Sequence, residues 1–157
     1  TTVKTVNAIM VAVDFSPFTL FTVRYAARLA EDVGADLLLV NVINQRDVDM
    51  VKQVAAAAPD FSFENYLEDT RRDRQDGFQK LIEDAPCRKE GVRTKIRIGV
   101  PFEELLVVIE ARKPDLLVMG VRGRSNLVGT IIGSCAQKMF RRCPIPLLSI
   151  RGDCTPA

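Results

Sequence analysis

The sequence predicts a doubly wound α/β domain, in which one mainly parallel sheet of five strands has helices on both faces. Three observations support this prediction. Short, continuous apolar runs such as Leu37–Val40 are typical of strands that are buried on both faces. Segments with helical periodicity separate these runs, and strand, helix and strand follow one another within about 35 residues, as in a βαβ unit. The chain has 157 residues, a length that fits a single domain over residues 1–157.

The first strand and the helix after it are predicted within residues 8–34. Ala8–Val13 is a continuous apolar run that ends at Asp14-Phe15-Ser16-Pro17. Ser16 is a favourable N-cap and Pro17 a favourable first helical residue, so the helix is expected to begin there. Gly34 is expected to end it. The apolar face of this helix is predicted to consist of Phe21, Tyr25, Ala26, Leu29 and Val33.

The middle of the chain is less regular. Leu37–Val42 is predicted to be the second buried strand. Residues 44–62 are predicted to form a loop with a short, poorly anchored helix, and residues 63–84 form an amphipathic helix with a solvated, charged face. Thr94–Ile98 alternates between polar and apolar residues, which indicates a strand at the edge of the sheet.

The last part of the chain continues the alternation of helices and strands. A helix opens with Phe102-Glu103-Glu104, whose acidic residues suit a helix N-terminus, and it stops at Lys113-Pro114. Leu116–Met119 is predicted to be the fourth strand. A loop over residues 120–132 and a helix over residues 133–142 follow, and Ile145–Ile150 is predicted to be the fifth strand.

Composition excludes several classes of protein. The chain has no histidine, which removes Ser-His-Asp and Cys-His catalysis and zinc sites with histidine ligands. The four cysteines form no C-x-x-C pair, so we predict free thiols, no disulfide framework and no metal site. No apolar run approaches the roughly 20 residues that cross a bilayer, and no segment resembles a secretory signal. We therefore expect a cytoplasmic protein.

Charge is distributed unevenly, although the formal net charge is only +2. Residues 116–152 contain six basic residues and no acidic one. A basic segment of this kind suits a phosphate group. It is too small, and too poor in aromatic residues, to predict nucleic-acid binding.

Unusual residues follow two of the predicted strands. In doubly wound sheets, ligands bind outside the carboxyl ends of the strands, where the strand order reverses. The first strand ends in Asp14-Phe15-Ser16, and the fourth is followed by Gly120 and Gly123, which permit close approach of a ligand to the backbone. Gly133-Ser134 then opens a helix, whose free N–H groups favour an anion. Neither the P-loop motif nor the dinucleotide fingerprint G-x-G-x-x-G is present in its expected place.

These residues resemble a known family. Gly120-x₂-Gly123-x₉-Gly133-Ser134 is similar to the ATP-binding signature of the universal stress protein family, spacing included. The resemblance extends in order along nearly the whole chain except about residues 44–90, which vary within the family. Its other blocks are Val11–Ser16, Tyr25–Ala30, Gly34–Leu37, Val40–Val42, Gly99–Pro101, Pro114–Gly120 and Pro144–Leu148.

The resemblance implies a strand order of 3-2-1-4-5 and a nucleotide site. Asp14 would lie against the nucleoside, and the backbone of Val42 would hydrogen-bond the adenine edge. Gly120 and Gly123 would pass close to the ribose and phosphates. The phosphate chain would be held by Gly133, Ser134 and the N–H of Cys135. The expected site also includes Val13, Ser16 and Met119, and, on the ground of their charge alone, Arg122 and Arg124.

The function that the resemblance implies is regulatory binding of ATP, with AMP, ADP or cyclic AMP as alternative ligands. Mg²⁺ or Mn²⁺ would bind, if at all, through the phosphates. Family members usually dimerise through the last strand, so we expect a homodimer formed by Ile145–Ile150. Two alternatives remain open: a slow ATPase or autophosphorylating enzyme, for which no general base is evident, and an FMN-binding flavodoxin-like protein, whose phosphate loop would follow the first strand.

Overall fold

The computed structural model describes residues 2–121 and 132–152, which form strands connected by helices. The strands are β1 (Ala8–Ala12), β2 (Asp36–Asn44), β3 (Val92–Gly99), β4 (Leu116–Gly120) and β5 (Leu147–Ile150). The helices are α1 (Thr19–Val33), α2 (Gln45–Ala57), α3 (Phe63–Glu83), α4 (Pro101–Arg112) and α5 (Ser134–Arg142). A 3₁₀ turn at Lys89–Gly91 precedes β3.

The five strands form one sheet in the order β3-β2-β1-β4-β5, and all four neighbouring pairs are parallel. The predicted fold class and strand order are therefore confirmed. The chain places β2 and β3 on one side of β1, and then returns to place β4 and β5 on the other. A crevice consequently opens at the carboxyl ends of β1 and β4, where the strand order reverses.

Helices cover both faces of this sheet. Ile9 and Val11 of β1 pack on one face with α1 and with Phe78 of α3. Met10, between them, packs on the other face against α4 and α5. All three β1 residues are 0% exposed, as expected for a central parallel strand with a continuous apolar sequence.

Helix α1 begins later than the sequence predicts. Ser16 does not serve as its N-cap; Phe18 holds that position without a side-chain cap hydrogen bond. Ser16 lies in the preceding turn, where its Oγ accepts from the Phe18 N–H and its carbonyl accepts from the Thr19 N–H. The predicted end is correct, because Gly34 closes the helix in the left-handed conformation with φ of 70°.

The predicted apolar face of α1 is correct for Ala26, which is buried, and for Phe21 and Leu29, which are half-buried and pack against the core, but wrong for its other two residues. Tyr25 and Val33 are 48% and 47% exposed. Small side chains face the sheet in their place, because they let the helix axis approach the strands closely, while the larger apolar groups lie at the margins of the contact. The buried residues of α1 are Thr19, Thr22, Val23, Ala26, Ala27 and Ala30.

Residues 44–62 are also more regular than predicted. Strand β2 continues to Asn44, and α2 is a regular helix of 13 residues. Asn44 caps it, since its side-chain oxygen accepts from the Arg46 N–H at 3.1 Å. Only Val48 of α2 is buried, so few apolar contacts anchor the helix, as the sequence predicts.

One buried carboxylate fixes the segment that leads into the sheet. Asp115 accepts from the backbone N–H groups of Asn7 and Ala8 at 2.9 and 3.0 Å, and its other oxygen lies 2.6 Å from Lys4 Nζ. The hydrogen bond with Lys4 and that with the Asn7 N–H hold the pKa of Asp115 below its ordinary value. No helix in the described ranges is long and apolar enough to cross a bilayer.

Candidate functional site

A cleft of about 260 Å³ opens at the carboxyl edge of the sheet, between the ends of β1, β2 and β4 and the start of α5. Every predicted site residue that the structure describes lines this cleft. They are Val13, Asp14, Ser16, Val42, Met119, Gly120, Gly133, Ser134 and Cys135. The other three predicted residues, Arg122, Gly123 and Arg124, lie outside the described ranges.

The turn after β1 forms one wall of the cleft. Asp14 Oδ1 accepts from the Ser16 N–H at 3.0 Å and from the Thr19 hydroxyl at 2.9 Å. Asp14 thus holds the turn in shape, as a simple capping residue would. Both bonds fall on Oδ1, so the carboxylate keeps a second oxygen, Oδ2, with which it can accept from a ligand.

The same turn contains a strained residue. Phe15 has φ of +56°, a left-handed conformation that costs a residue with a Cβ about 1–2 kcal/mol. Its ring packs edge-on against Phe78, with 5.2 Å between ring centroids. The ring also lies against Gly77 of α3, where an added Cβ would come within 2.6 Å of Phe15 Cε1. Contacts with α3 therefore offset the strain and fix the turn that carries Asp14.

Strand β2 presents backbone groups to the cleft. The Val13 N–H donates to the Val40 carbonyl at 2.8 Å, so the peptide groups of Val40 face β1. Peptide groups alternate sides along a strand, and Val42 therefore faces the same way as Val40. Because β1 ends at Ala12, which pairs with Val40, the N–H and C=O of Val42 point into the space beyond β1.

Asn41 of β2, which was not predicted as a site residue, holds the end of β1 in place. It is 3% exposed, it lines the cleft, and its Nδ2 donates to the Val13 carbonyl at 2.8 Å. The bond ties the end of β1 to β2. A single amide within the otherwise apolar run of β2 is the sequence signal that could have indicated it.

The start of α5 forms the opposite end of the cleft. Gly133 is the N-cap, and its N–H donates to the Val121 carbonyl at 2.8 Å. The first turn of the helix has no acidic residue, and Arg141 and Arg142 lie in the last turn. The first N–H groups of a helix have no acceptor within it, so this end suits an anion. Ser134 is the first helical residue.

Cys135 adds a neutral thiol at this end. Burial raises the pKa of Cys135 to about 11, with a smaller opposing effect of Lys138 and a smaller raising effect of Asp14. The side chain is thus uncharged at neutral pH. A thiolate, which would repel an anionic ligand, does not form there under these conditions.

The start of α2, together with its N-cap, and α3 supply cleft residues that were not predicted from the sequence. Asn44 is the N-cap of α2, Arg46 and Asp47 come from the first turn of that helix, and Arg74 comes from α3. All four belong to the segment that the family resemblance does not cover. Among the described residues, no group of three or more Cys, Asp or Glu side chains could hold a metal ion.

Comparison with known proteins places the chain in a family. The model of the universal stress protein family matches residues 5–151. The chain belongs to the universal stress protein family. One relative with a solved structure is the universal stress protein MJ0577 of Methanocaldococcus jannaschii, which is 21% identical over 154 residues, covering 91% of this chain and 93% of the relative. Its structure superposes with a TM-score of 0.75 over 96% of this chain and 99% of the other.

Two further structures of universal stress proteins contain nucleotides. One, in complex with cAMP, has a TM-score of 0.60 and 20% identity and covers 94% of this chain and 98% of its own. The other, from Archaeoglobus fulgidus in complex with dAMP, has a TM-score of 0.59 and 18% identity. It covers 94% of this chain and 100% of its own. At these identities the likeness establishes a shared fold, that of universal stress proteins.

Proposed function

We propose that this universal stress protein binds an adenine nucleotide, ATP in particular, in the cleft at the carboxyl edge of the sheet, and that binding regulates its interaction with other proteins. One observation carries the proposal. Nine predicted site residues from four separate segments of the chain line this one cleft. A doubly wound sheet binds its ligand at this place, and the two ends of the cleft offer different chemistry.

The nucleoside would occupy the end formed by β1 and β2. The Val42 peptide, which faces the space beyond β1, has one donor and one acceptor for the edge of an adenine ring. Asp14 Oδ2 would accept from a donor of the nucleoside, while Oδ1 holds the turn. Asn41 keeps the end of β1 in register with β2 and so fixes the distance between these two contacts.

The phosphates would occupy the end formed by Gly120 and the start of α5. The N–H groups of Ser134 and Cys135 lie in the first turn of α5, where a helix favours negative charge. Arg122 and Arg124, near Gly123 in the sequence, would add positive charge. Because the described residues offer no carboxylate cluster, Mg²⁺ or Mn²⁺ would bind through the phosphates.

The relatives support this proposal over its alternatives. Structures of family members in complex with cAMP and with dAMP show that the fold accommodates adenine nucleotides. An FMN site of the flavodoxin type would need its phosphate loop after β1, where this chain has Asp14-Phe15-Ser16. Hydrolysis of ATP is not part of the proposal, and the cytoplasmic location expected from the sequence stays a prediction.

Calorimetric titration and thermal unfolding with ATP test this function. We expect binding with sub-millimolar affinity, and a melting temperature that rises with ATP concentration, because a ligand that binds only the folded state stabilises it by mass action. The same titration with GTP and FMN measures selectivity. No heat and no thermal shift at millimolar ATP would refute the proposed function.

The homodimer is proposed from the free edge of the sheet. In the described sheet β5 pairs only with β4, and a groove lies along its outer side. Phe140 on this surface is 42% exposed and adds apolar area to the groove. The groove is lined by Met139, Phe140, Cys143, Ile145, Leu147 and Ser149.

Light scattering at tens of micromolar should report a dimer, and Leu147→Lys should shift it to the monomer. A monomeric parent protein would refute the pairing.

A further inference from the structure

Arg74 of α3 lines the cleft although its helix lies outside the part of the chain that resembles the family. Its Cζ lies 5.5 Å from the centroid of the Phe15 ring, so the guanidinium rests over that ring. Arg74 therefore sits beside the turn that carries Asp14. Most other charged side chains of α3 are exposed to solvent.

The Phe15 ring, over which the Arg74 guanidinium lies, is held in place by its own contacts. The ring of Phe15 is held by its left-handed backbone, by the edge-on contact with Phe78 and by the close passage of Gly77. A long side chain that is held in one position before a ligand arrives loses less conformational entropy on binding. Arg74 has this property because it rests on a ring that is itself packed against α3.

Arg74 and the start of α5 lie on opposite faces of the sheet. Helix α3 packs on the face that contains Ile9 and Val11, whereas α5 packs on the face that contains Met10. A ligand that reaches from one to the other must cross the carboxyl edge of the sheet. The contacts made by Arg74 are therefore separate from those that the phosphates make with α5.

We propose that Arg74 is a ligand-binding residue at the nucleoside end of the cleft, where its planar guanidinium, supported by Phe15, donates to acceptor atoms of the base or ribose. The inference rests on the proposed function and adds to it a specificity-determining residue from α3. Guanidinium presents several N–H donors in a rigid fork, which suits the ring nitrogens of a purine and the ribose oxygens. The contact requires no phosphate, so adenosine and ATP would both make it.

Binding of adenosine and ATP to Arg74→Met, measured by calorimetry, tests this inference. Methionine retains an apolar stem that can pack on Phe15 but has no donor. We expect both ligands to lose at least about fivefold in affinity, and by the same factor, since both would lose the same hydrogen bonds from the guanidinium. Arg71→Met is the matched control, because Arg71 is exposed on the same helix and does not line the cleft; it should bind both ligands like the parent protein.

Each other outcome has a defined meaning. Unchanged affinity in Arg74→Met, with or without lower stability, would show that Arg74 only packs on Phe15, and would overturn the inference. A loss for ATP alone would place Arg74 at the phosphates and overturn it as well. If Arg74→Met does not fold, Arg74→Lys keeps the charge and loses the fork; adenosine affinity equal to that of the parent protein would refute the contact. A parent protein that binds neither ligand would instead refute the proposed function.

Discussion

Replacing Gly133 with valine tests whether the phosphates and the nucleoside bind at different ends of the cleft. Gly133 is the N-cap of α5, with φ of −67° and ψ of 154°, a conformation that valine adopts without strain. The substitution therefore places a branched side chain beside the first N–H groups of the helix and leaves the backbone as it is. Valine is a poorer N-cap than glycine, so the domain should lose about 1 kcal/mol of unfolding free energy and remain folded.

The magnitude follows from the hydrogen bonds at stake. In the proposed complex, the N–H groups of Ser134 and Cys135 donate to charged phosphate oxygens. A hydrogen bond to a charged group contributes about 1.5–3 kcal/mol. Loss of one such bond corresponds to a decrease in ATP affinity of at least about tenfold, since a factor of ten equals about 1.4 kcal/mol. Adenosine, which reaches only Asp14 and Val42, should lose much less.

Calorimetric titration of the folded variant with ATP and with adenosine, side by side, measures the difference. Gln137→Val is a matched control, because it introduces the same β-branched residue into α5, one turn further on, at an exposed position away from the cleft. It should leave both affinities unchanged. Equal losses for the two ligands in Gly133→Val would mean that the phosphates do not lie at the start of α5, and unchanged ATP affinity would mean the same.

Two further predictions concern groups with shifted pKa values. Asp115→Asn should lower the free energy of unfolding at pH 7 by about 1–3 kcal/mol, because it removes the charged acceptor of Lys4 and of two backbone N–H groups. Since these contacts lower the folded pKa of Asp115, their contribution is complete above the unfolded pKa of about 3.9 and is lost as pH falls through the folded pKa. Urea melts in acid should therefore show the two proteins converging, and a constant difference would contradict this. Alkylation of Cys135 by iodoacetamide, followed by mass spectrometry, should stay slow at pH 8 and accelerate towards pH 10, whereas rapid reaction at pH 8 would contradict its burial.

The sequence predicted the sheet well because the relevant signals are local. A continuous apolar run such as Ala8–Val13 indicates a strand buried on both faces wherever it lies in the fold. Glycine after a helix ends it for a conformational reason that requires no tertiary contact, and Gly34 does so. Strand order came from the resemblance to the family, and the structure confirms it.

Predictions failed where a neighbouring element decides the outcome. Ser16 has the chemistry of an N-cap, but it lies in the turn that Asp14 holds, and the helix begins only at Thr19. Tyr25 is apolar enough for a buried face, but close packing of α1 on the sheet selects smaller residues. Helix α2 is a regular helix of 13 residues, longer than the short helix predicted for residues 44–62, although it buries only Val48.

The features of the candidate site likewise fall into those that adjacent residues determine and those that depend on tertiary packing. The sequence by itself determined that the chain has an acidic turn after its first strand and a glycine-opened helix after its fourth, because these are properties of adjacent residues. Only the tertiary structure decided that the Val42 peptide faces the space beyond β1, since that depends on where a neighbouring strand stops. Only the tertiary structure brought Arg74 to the ring of Phe15. No local pattern encodes this contact, because it arises from the packing of α3 over the sheet, between residues far apart in the sequence.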